Sequence, residues 1–357
     1  MRIALLTDGI PPWTLGGMQK HSRLTAEYLS RQGVEVELFV PHSPAVNINA
    51  KEVFESFSIE ARVNMAIHMF PYEDAGFFPG HYLRAQLSLS KSMHKTLGLI
   101  KPVDFVYCKG FMASYAAEHK DELPYQVAVG VNFHGMNMYQ KQPNFKSELS
   151  KYMLRAKVKR IMKKSDFIFS YGGGITDIVR SVVGSDRVVV EVPAGIEKEQ
   201  IRSRIRPSEN HRNFLFIGRH DRVKGLPELY GALKGISQSG WTLKIIGPVP
   251  PKDQLHLANV IYEGQIDSKE RMNSIIDDCD ILICPSISEG MPNVILEAMA
   301  RGLGIIASDV GAVRSLVDDS VGILIPPSDE QAIKSSILQT IQMDTDRIDE
   351  WKRNSLQ

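Results

Sequence analysis

Cysteine is scarce in this chain. Cys108, Cys279 and Cys284 are the only three in 357 residues. An odd, scattered set is neither a disulfide framework nor a zinc spacing, and Cys279 and Cys284 flank an apolar run where they suit packing. The expected setting is reducing, the cytoplasm. Long apolar runs are also missing. None approaches the roughly 18 residues of a spanning helix, and the opening run stops at Thr7-Asp8, too short for a signal peptide. Neither export by that route nor a membrane span is expected; contact with a membrane surface stays open. Excess charge of one sign is absent too: 42 Lys and Arg against 41 Asp and Glu give a net +1. No global field recruits nucleic acid. What remains is an ordinary globular composition, 43% hydrophobic and 23% charged, with length enough for two domains.

The most informative stretch runs from Asp280 to Gly302. Ile281 to Cys284 is a short apolar run that suits a buried parallel strand. Pro285 to Gly290 is loop chemistry. Pro292 suits the first position of a helix, which should run from Asn293 to about Arg301 and end at Gly302. The loop therefore lies at the carboxyl end of a strand, where open α/β sheets bind ligands. Glu289 sits in that loop and Glu297 eight positions later, one turn past Asn293 on the same helix face. The free N–H groups near Asn293 and Val294 favour an anion such as phosphate. A phosphate flanked by two hydroxyl-rich groups, as in a nucleotide sugar, fits this pattern. Taken alone, a helical Glu is as often a solvated or capping residue.

The rest of the chain reads as alternating strands and helices. Ile3 to Thr7, a helix from about Met18 to Gln32, and Val34 to Val40 make an opening βαβ unit. The loop between holds Gly16-Gly17, without a G-x-G-x-x-G, and a Gly pair more often marks a plain turn. Further strands are expected at Val103–Cys108, Gln126–Phe133, Asp166–Tyr171 and Val188–Val192, with helices at His81–Ile100, Lys146–Lys164 and Ile175–Val183. The aromatic segments Phe70-Pro71-Tyr72 and Phe77 to Tyr82 could cover a core edge or line an acceptor site. His134 closes one strand, just before Gly135. Charged and polar residues from Glu197 to Arg212 read as a linker. A second βα series starts at Asn213, and its first loop holds Arg219 and Lys224, a planar guanidinium and a compact ammonium that together suit a diphosphate.

Glu289-x7-Glu297 within EGMPNVILEAMARG resembles the signature of the retaining glycosyltransferase family 4. The resemblance covers nearly the whole chain and is strongest from Phe214 to Pro327; Ser308-Asp309-Val310-Gly311 shares in it. It implies the α/β GT-B fold: two Rossmann-like doubly wound domains facing each other across a cleft. Expected bounds are 1–195 for the acceptor-side domain, 196–340 for the nucleotide-sugar domain and 341–357 for a short tail. It also implies roles. Glu289 contacts the donor sugar, Glu297 the ribose, Arg219 and Lys224 the diphosphate, and His134 the sugar near the attack site. Gly16 and Gly17 lie over the diphosphate, and Ile266 meets the base. Gly290, Met291, Pro292, Asn293 and Val294 complete the donor set. The expected reaction is retaining transfer of a hexose from a UDP- or GDP-sugar to a hydroxyl of a glycan or lipid-linked acceptor, without metal or other cofactor, in cell-surface polysaccharide synthesis. A GT-B sugar-nucleotide epimerase and a non-catalytic nucleotide-binding subunit stay open as alternatives. The chain departs from the family at Ala194-Gly195, where Asn-Gly is usual, and in stopping soon after Trp351.

Two further features need weighing. Asp344-Thr345-Asp346 matches a metal-binding D-x-D, but it follows a helical stretch rather than a strand and reads as a helix-end charge cluster. From Lys151 to Lys164 there are seven Lys or Arg and no acid. Their bland reading is a solvated helix face. The alternative is a patch drawn to anionic lipid at the inner face of a membrane, at about 1 kcal/mol per base. Oligomeric state is not legible.

Overall fold

The protein is described from a computed structural model, which covers residues 1–14, 16–45, 48–72, 80–141 and 145–357, without the side chains of 145–150. Phe77 to Pro79 of the aromatic segment, and the side chain of Lys146, lie outside the described residues.

The chain divides into two compact units. The first comprises Met1–His134, Tyr152–Tyr171 and Thr176–Val192; the second comprises Gly135–Lys151, Gly172–Ile175 and Pro193–Gln357. The main chain passes from the first unit to the second at Val192–Pro193, and the second unit also takes in the segment that follows β5 below.

Among the described residues, the first unit holds a seven-stranded parallel sheet: β1 (Arg2–Leu6), β2 (Glu35–His42), β3 (Met65–Pro71), β4 (Phe105–Lys109), β5 (Ala128–Asn132), β6 (Phe167–Ser170) and β7 (Val188–Glu191). Its order is 3-2-1-4-5-6-7. Helices α1 (Gly17–Arg31), α2 (Ala50–Glu55), α3 (Ile59–Arg62), α4 (His81–Leu97), α5 (Ala113–Glu118), α6 (Phe145–Lys164) and α7 (Gly173–Val183) connect the strands. Burial on both sheet faces explains the near-continuous apolar strands: Ile3, Leu5, Val36, Leu38 and Val40 share one core with Phe57 and Ala61 of the α2–α3 region. Those two short helices and β3 were not resolved from the sequence. Each helix has a side-chain cap, Asn49 for α2 and Ser58 for α3, but neither is long enough to show a period.

The second unit holds a six-stranded parallel sheet of order 10-9-8-11-12-13: β8 (Arg212–Ile217), β9 (Trp241–Ile246), β10 (Val260–Gly264), β11 (Ile281–Cys284), β12 (Gly304–Ser308) and β13 (Gly322–Ile325). Its helices are α8 (Leu226–Lys234), α9 (Lys269–Asp277), α10 (Asn293–Ala300), α11 (Glu330–Gln342) and α12 (Thr345–Ser355). One core lies on each face of this sheet. The last helix belongs to the first of these cores, since Ile348 and Trp351 are buried in it with Phe214 and Ile306. Residues 341–357, read from the sequence as a tail, are therefore packed helix here. Asp344 stands at the start of α12 with Asp346 in its first turn, where acidic side chains complement the helix dipole. No helix among the described residues is long and apolar enough to cross a membrane.

Candidate active site

In the second unit, two βα loops meet at the carboxyl ends of adjacent strands β8 and β11. The Ile287 N–H donates to the Val223 carbonyl (2.8 Å) and ties them together. Their approach demands glycine. Gly225 has φ +71°, and a Cβ there would sit 1.9 Å from the Pro285 carbonyl oxygen. Gly311 plays the same part on the next loop: φ is +57°, a Cβ would lie 2.3 Å from the Glu289 oxygen, and the Ala312 N–H donates to the Gly290 carbonyl at 2.8 Å.

At this junction Lys224 Nζ donates to Glu289 Oε1 at 2.6 Å, and Ser286 Oγ donates to the same oxygen at 2.7 Å. Both charged side chains are largely covered, 24% exposed for Lys224 and 12% for Glu289. Burial, the largest single influence, pulls the Lys224 ammonium down, but the Glu289 carboxylate and Cys284 together outweigh it and the net shift is upward. Arg219, in the same loop as Lys224, is 78% exposed, with Asp221 at 3.9 Å. A largely covered ammonium and an exposed guanidinium thus share one loop. Arg222, between them, pairs with buried Glu228 of α8 instead.

The backbone of Glu289 is itself held within this unit. Gln140 Nε2 donates to the Glu289 carbonyl at 2.6 Å, and Ser288 Oγ donates to Asn137 Oδ1 at 3.1 Å. Gly290, Met291 and Pro292 are buried, and the Met291 sulfur accepts the Ala194 N–H at 3.2 Å. Pro292 proves to be the residue before the helix, not its first, with α10 starting at Asn293. Asn293, Val294 and Glu297 are half-buried on its first turns. Ile266, the expected base contact, is half-buried against the core that holds Leu215 and Ile246. Sequence reasoning missed Ser286, Gln140, Gly225 and Gly311.

In the first unit, Gly16 stands just before α1 and Gly17 opens it, with Gly16 exposed. His134 follows β5; its Nδ1 lies 3.0 Å from the Tyr171 hydroxyl, and the rings meet edge to face at 5.1 Å. Tyr171 is fully buried, and burial raises its phenol well above the usual value.

Comparison with known proteins follows the same division. The family model described as Glycosyltransferase Family 4 matches residues 15–200, and that described as Glycosyl transferases group 1 matches residues 211–343. The putative teichuronic acid biosynthesis glycosyltransferase TuaC of Bacillus subtilis is 29% identical over 189 residues, 50% of this chain and 48% of that protein. A phosphatidyl-myo-inositol mannosyltransferase of Mycobacterium leprae is 28% identical over 188 residues, 48% of this chain and 49% of that protein. The chain thus matches about half the length of each of these relatives. Among solved structures, sucrose-phosphate synthase from Thermosynechococcus elongatus superposes with a TM-score of 0.75 at 20% identity, over 99% of this chain and 93% of that one. Two parallel-sheet Rossmann-like units, both family matches and this likeness of fold agree: the chain is a GT-B glycosyltransferase belonging to Glycosyltransferase Family 4.

Proposed function

We propose that the protein transfers a hexose, with retention at the anomeric carbon and without a metal, from a UDP- or GDP-sugar to a hydroxyl of a glycan or lipid-linked acceptor. The observation that carries this reading is the Lys224–Glu289 contact at 2.6 Å beside the first turn of α10, with Arg219 in the same loop. One carboxylate for sugar hydroxyls and two cations for a diphosphate converge at one sheet edge, as a nucleotide sugar requires. In the proposed reaction Arg219, Lys224 and the α10 N-terminus stabilise the leaving diphosphate as its charge grows. Glu289 orients the sugar, Glu297 holds the ribose, and a leaving phosphate oxygen takes the acceptor proton in a same-face attack. The relatives' names, teichuronic acid biosynthesis and phosphatidyl-myo-inositol mannosyl transfer, support a surface-polymer or lipid-linked acceptor.

A second element of the proposal is that α6 brings the first unit to an anionic membrane. Tyr152 and Met153 are 57% and 62% exposed on this basic helix, while Val158, Ile161 and Met162 are buried. Lys157 and Arg160 both pair with Glu118, which leaves the net positive charge to their neighbours. Binding to anionic but not neutral vesicles, weakened by salt, supports this element; no binding to either vesicle type removes it.

The test of the main reading is a screen of UDP- and GDP-hexoses against candidate acceptors with a chelator present, reading the anomeric configuration of the product by proton NMR. A retained configuration under chelation supports it. Inversion, or activity restored only by a divalent cation, contradicts it.

A further inference from the structure

Strand β7 closes one side of the first unit's sheet and has β6 as its only strand neighbour among the described residues. The Val192 N–H donates to the Ser170 carbonyl at 2.7 Å, and Glu191 is in register with Ser170. Successive peptide groups of a strand turn to opposite sides, so Val188, Val190 and Val192 address β6. The N–H and C=O groups of Val189 and Glu191 therefore point out of the sheet, along its open edge. No other backbone group takes them up among the described residues.

Proteins guard such an edge with a proline, a bulge, a charge or a covering element. The other edges show these devices. β3 ends in Pro71, β10 is bulged between Tyr262 and Gly264, and β13 is buried or half-buried along its length. β7 has neither proline nor bulge, and both its ends are exposed. Val188 is 51% and Val192 38% exposed. Its one guard is a pair of exposed charges of opposite sign, Arg187 just before the strand and Glu191 at its end.

Opposite charges at the two ends of an edge strand do not repel a second copy of it. They select a register. In an antiparallel self-pairing, outward groups of one chain must meet outward groups of the other, which leaves few choices. Setting Arg187 or Glu191 against its own copy opposes like charges. Setting Val189 against Arg187 drives the pairing into the turn at Ser185 and Asp186. Setting Val189 against Glu191 puts Pro193, which has no N–H, into the ladder. Setting Val189 against Val189 avoids all of these. It brings Arg187 of each chain level with Glu191 of the other and lays Val188 against Val190. Opposite charges then face each other twice, and a β-branched side chain covers the exposed Val188.

We propose that β7 is the interface of a homodimer, in which two copies join their first-unit sheets edge to edge and antiparallel about a twofold axis through Val189. The contact is isologous and closes on itself, so it makes a pair and not a filament. Its strand edges share about six N–H···O bonds, two for each hydrogen-bonded residue pair. A pairing of this length buries less than the roughly 1,600 Å² of a standard stable interface. The dimer is therefore reversible, with a dissociation constant of roughly 10–100 µM. It involves neither the donor loops nor the glycosyl-transfer reading.

The test is sedimentation equilibrium of the full chain at about 1–300 µM, without donor or acceptor. The weight-average mass should rise with concentration toward that of two chains. Val189→Pro removes one outward N–H from each copy at the axis and spares the β6 ladder, which that N–H does not address; it should weaken the dimer about tenfold or more. Arg187→Glu sets like charges across both ends and should weaken it about three- to tenfold, and adding Glu191→Arg should restore the affinity to within about threefold of the parent. A change in fold does not produce that recovery, so the charge exchange decides alone should Val189→Pro fail to fold. A single-chain mass at every concentration overturns the proposal. So does a dimer of unchanged affinity in folded Val189→Pro or in Arg187→Glu, or one that the double exchange fails to restore.

Discussion

Lys224 Nζ and Glu289 Oε1 lie 2.6 Å apart, so the two groups proposed for different parts of the donor are bonded to each other. The pair keeps two largely covered opposite charges satisfied. A diphosphate drawing Lys224 away would release Glu289 to accept sugar hydroxyls, while Ser286 still holds the same carboxylate oxygen. On the proposed reading, donor binding would thereby order both halves of the site together.

The two glutamates should separate by ligand part. Glu289→Ala should leave nucleoside diphosphate affinity within about threefold and lower turnover of the full donor by on the order of a hundredfold. Glu297→Ala should weaken the nucleoside diphosphate itself by about tenfold, the equivalent of one good hydrogen bond to a charged group. Calorimetry with UDP and GDP, beside steady-state rates, checks both. The reverse pattern would mean the roles are exchanged.

Lys109 should leave a mark on stability against pH. Its ammonium titrates at about 7 in the folded protein and near the ordinary 10.5 when unfolded. In the window from about 7 to about 9 the unfolded chain holds a proton that the folded chain has shed, so this group makes stability rise with pH. Asp8 and His21 titrate below that window, at about 6 and about 3, and buried Tyr107 and Tyr171 are pushed above it. Urea melts across the window should show a shallower rise in Lys109→Met than in the parent. An identical slope would mean that Lys109 keeps its proton throughout.

The last helix is fastened by charge as well as by Trp351. Asp280 Oδ1, fully buried at the foot of β11, accepts Lys352 Nζ of α12 at 3.0 Å and Arg206 Nη2 at 2.7 Å. Removing the carboxylate leaves the fully buried Lys352 ammonium without its ion-pair partner and Arg206 with only the longer contact to Glu209 at 4.0 Å. Asp280→Ala should cost about 3–5 kcal/mol and lower Tm by on the order of 10 °C. A Tm change of under about 2 °C would contradict this role.

Much of this was legible in the sequence for a physical reason. Parallel strands buried on both faces write themselves as apolar runs, so β8, β11 and β12 stand out, and glycine and proline punctuate the loops at their ends. Arg219, Lys224, Glu289 and Glu297 could be paired because each lies in such a loop or just beyond it. The direct bond between Lys224 and Glu289 could not be read, because it depends on Gly225 letting two loops touch. Helix α12 was hidden by its own composition. Only Ile348 and Trp351 interrupt a charged run, and buried Lys352 reads as surface until Asp280 is seen beneath it. The contacts of Lys109 with His21 and Asn132 were invisible for another reason: the three residues are scattered over three elements and meet only through strand order.

The central claim is that the loop bearing Arg219 and Lys224 holds a donor diphosphate, and titration calorimetry of the parent and Arg219→Ala with UDP, GDP and the bare nucleosides tests it most directly. A charge-assisted contact contributes about 1.5–3 kcal/mol, so Arg219→Ala should weaken the nucleoside diphosphate that binds by roughly ten- to a hundredfold and leave its nucleoside almost unchanged. Equal losses for nucleoside and nucleoside diphosphate, or no loss for either, would contradict the account.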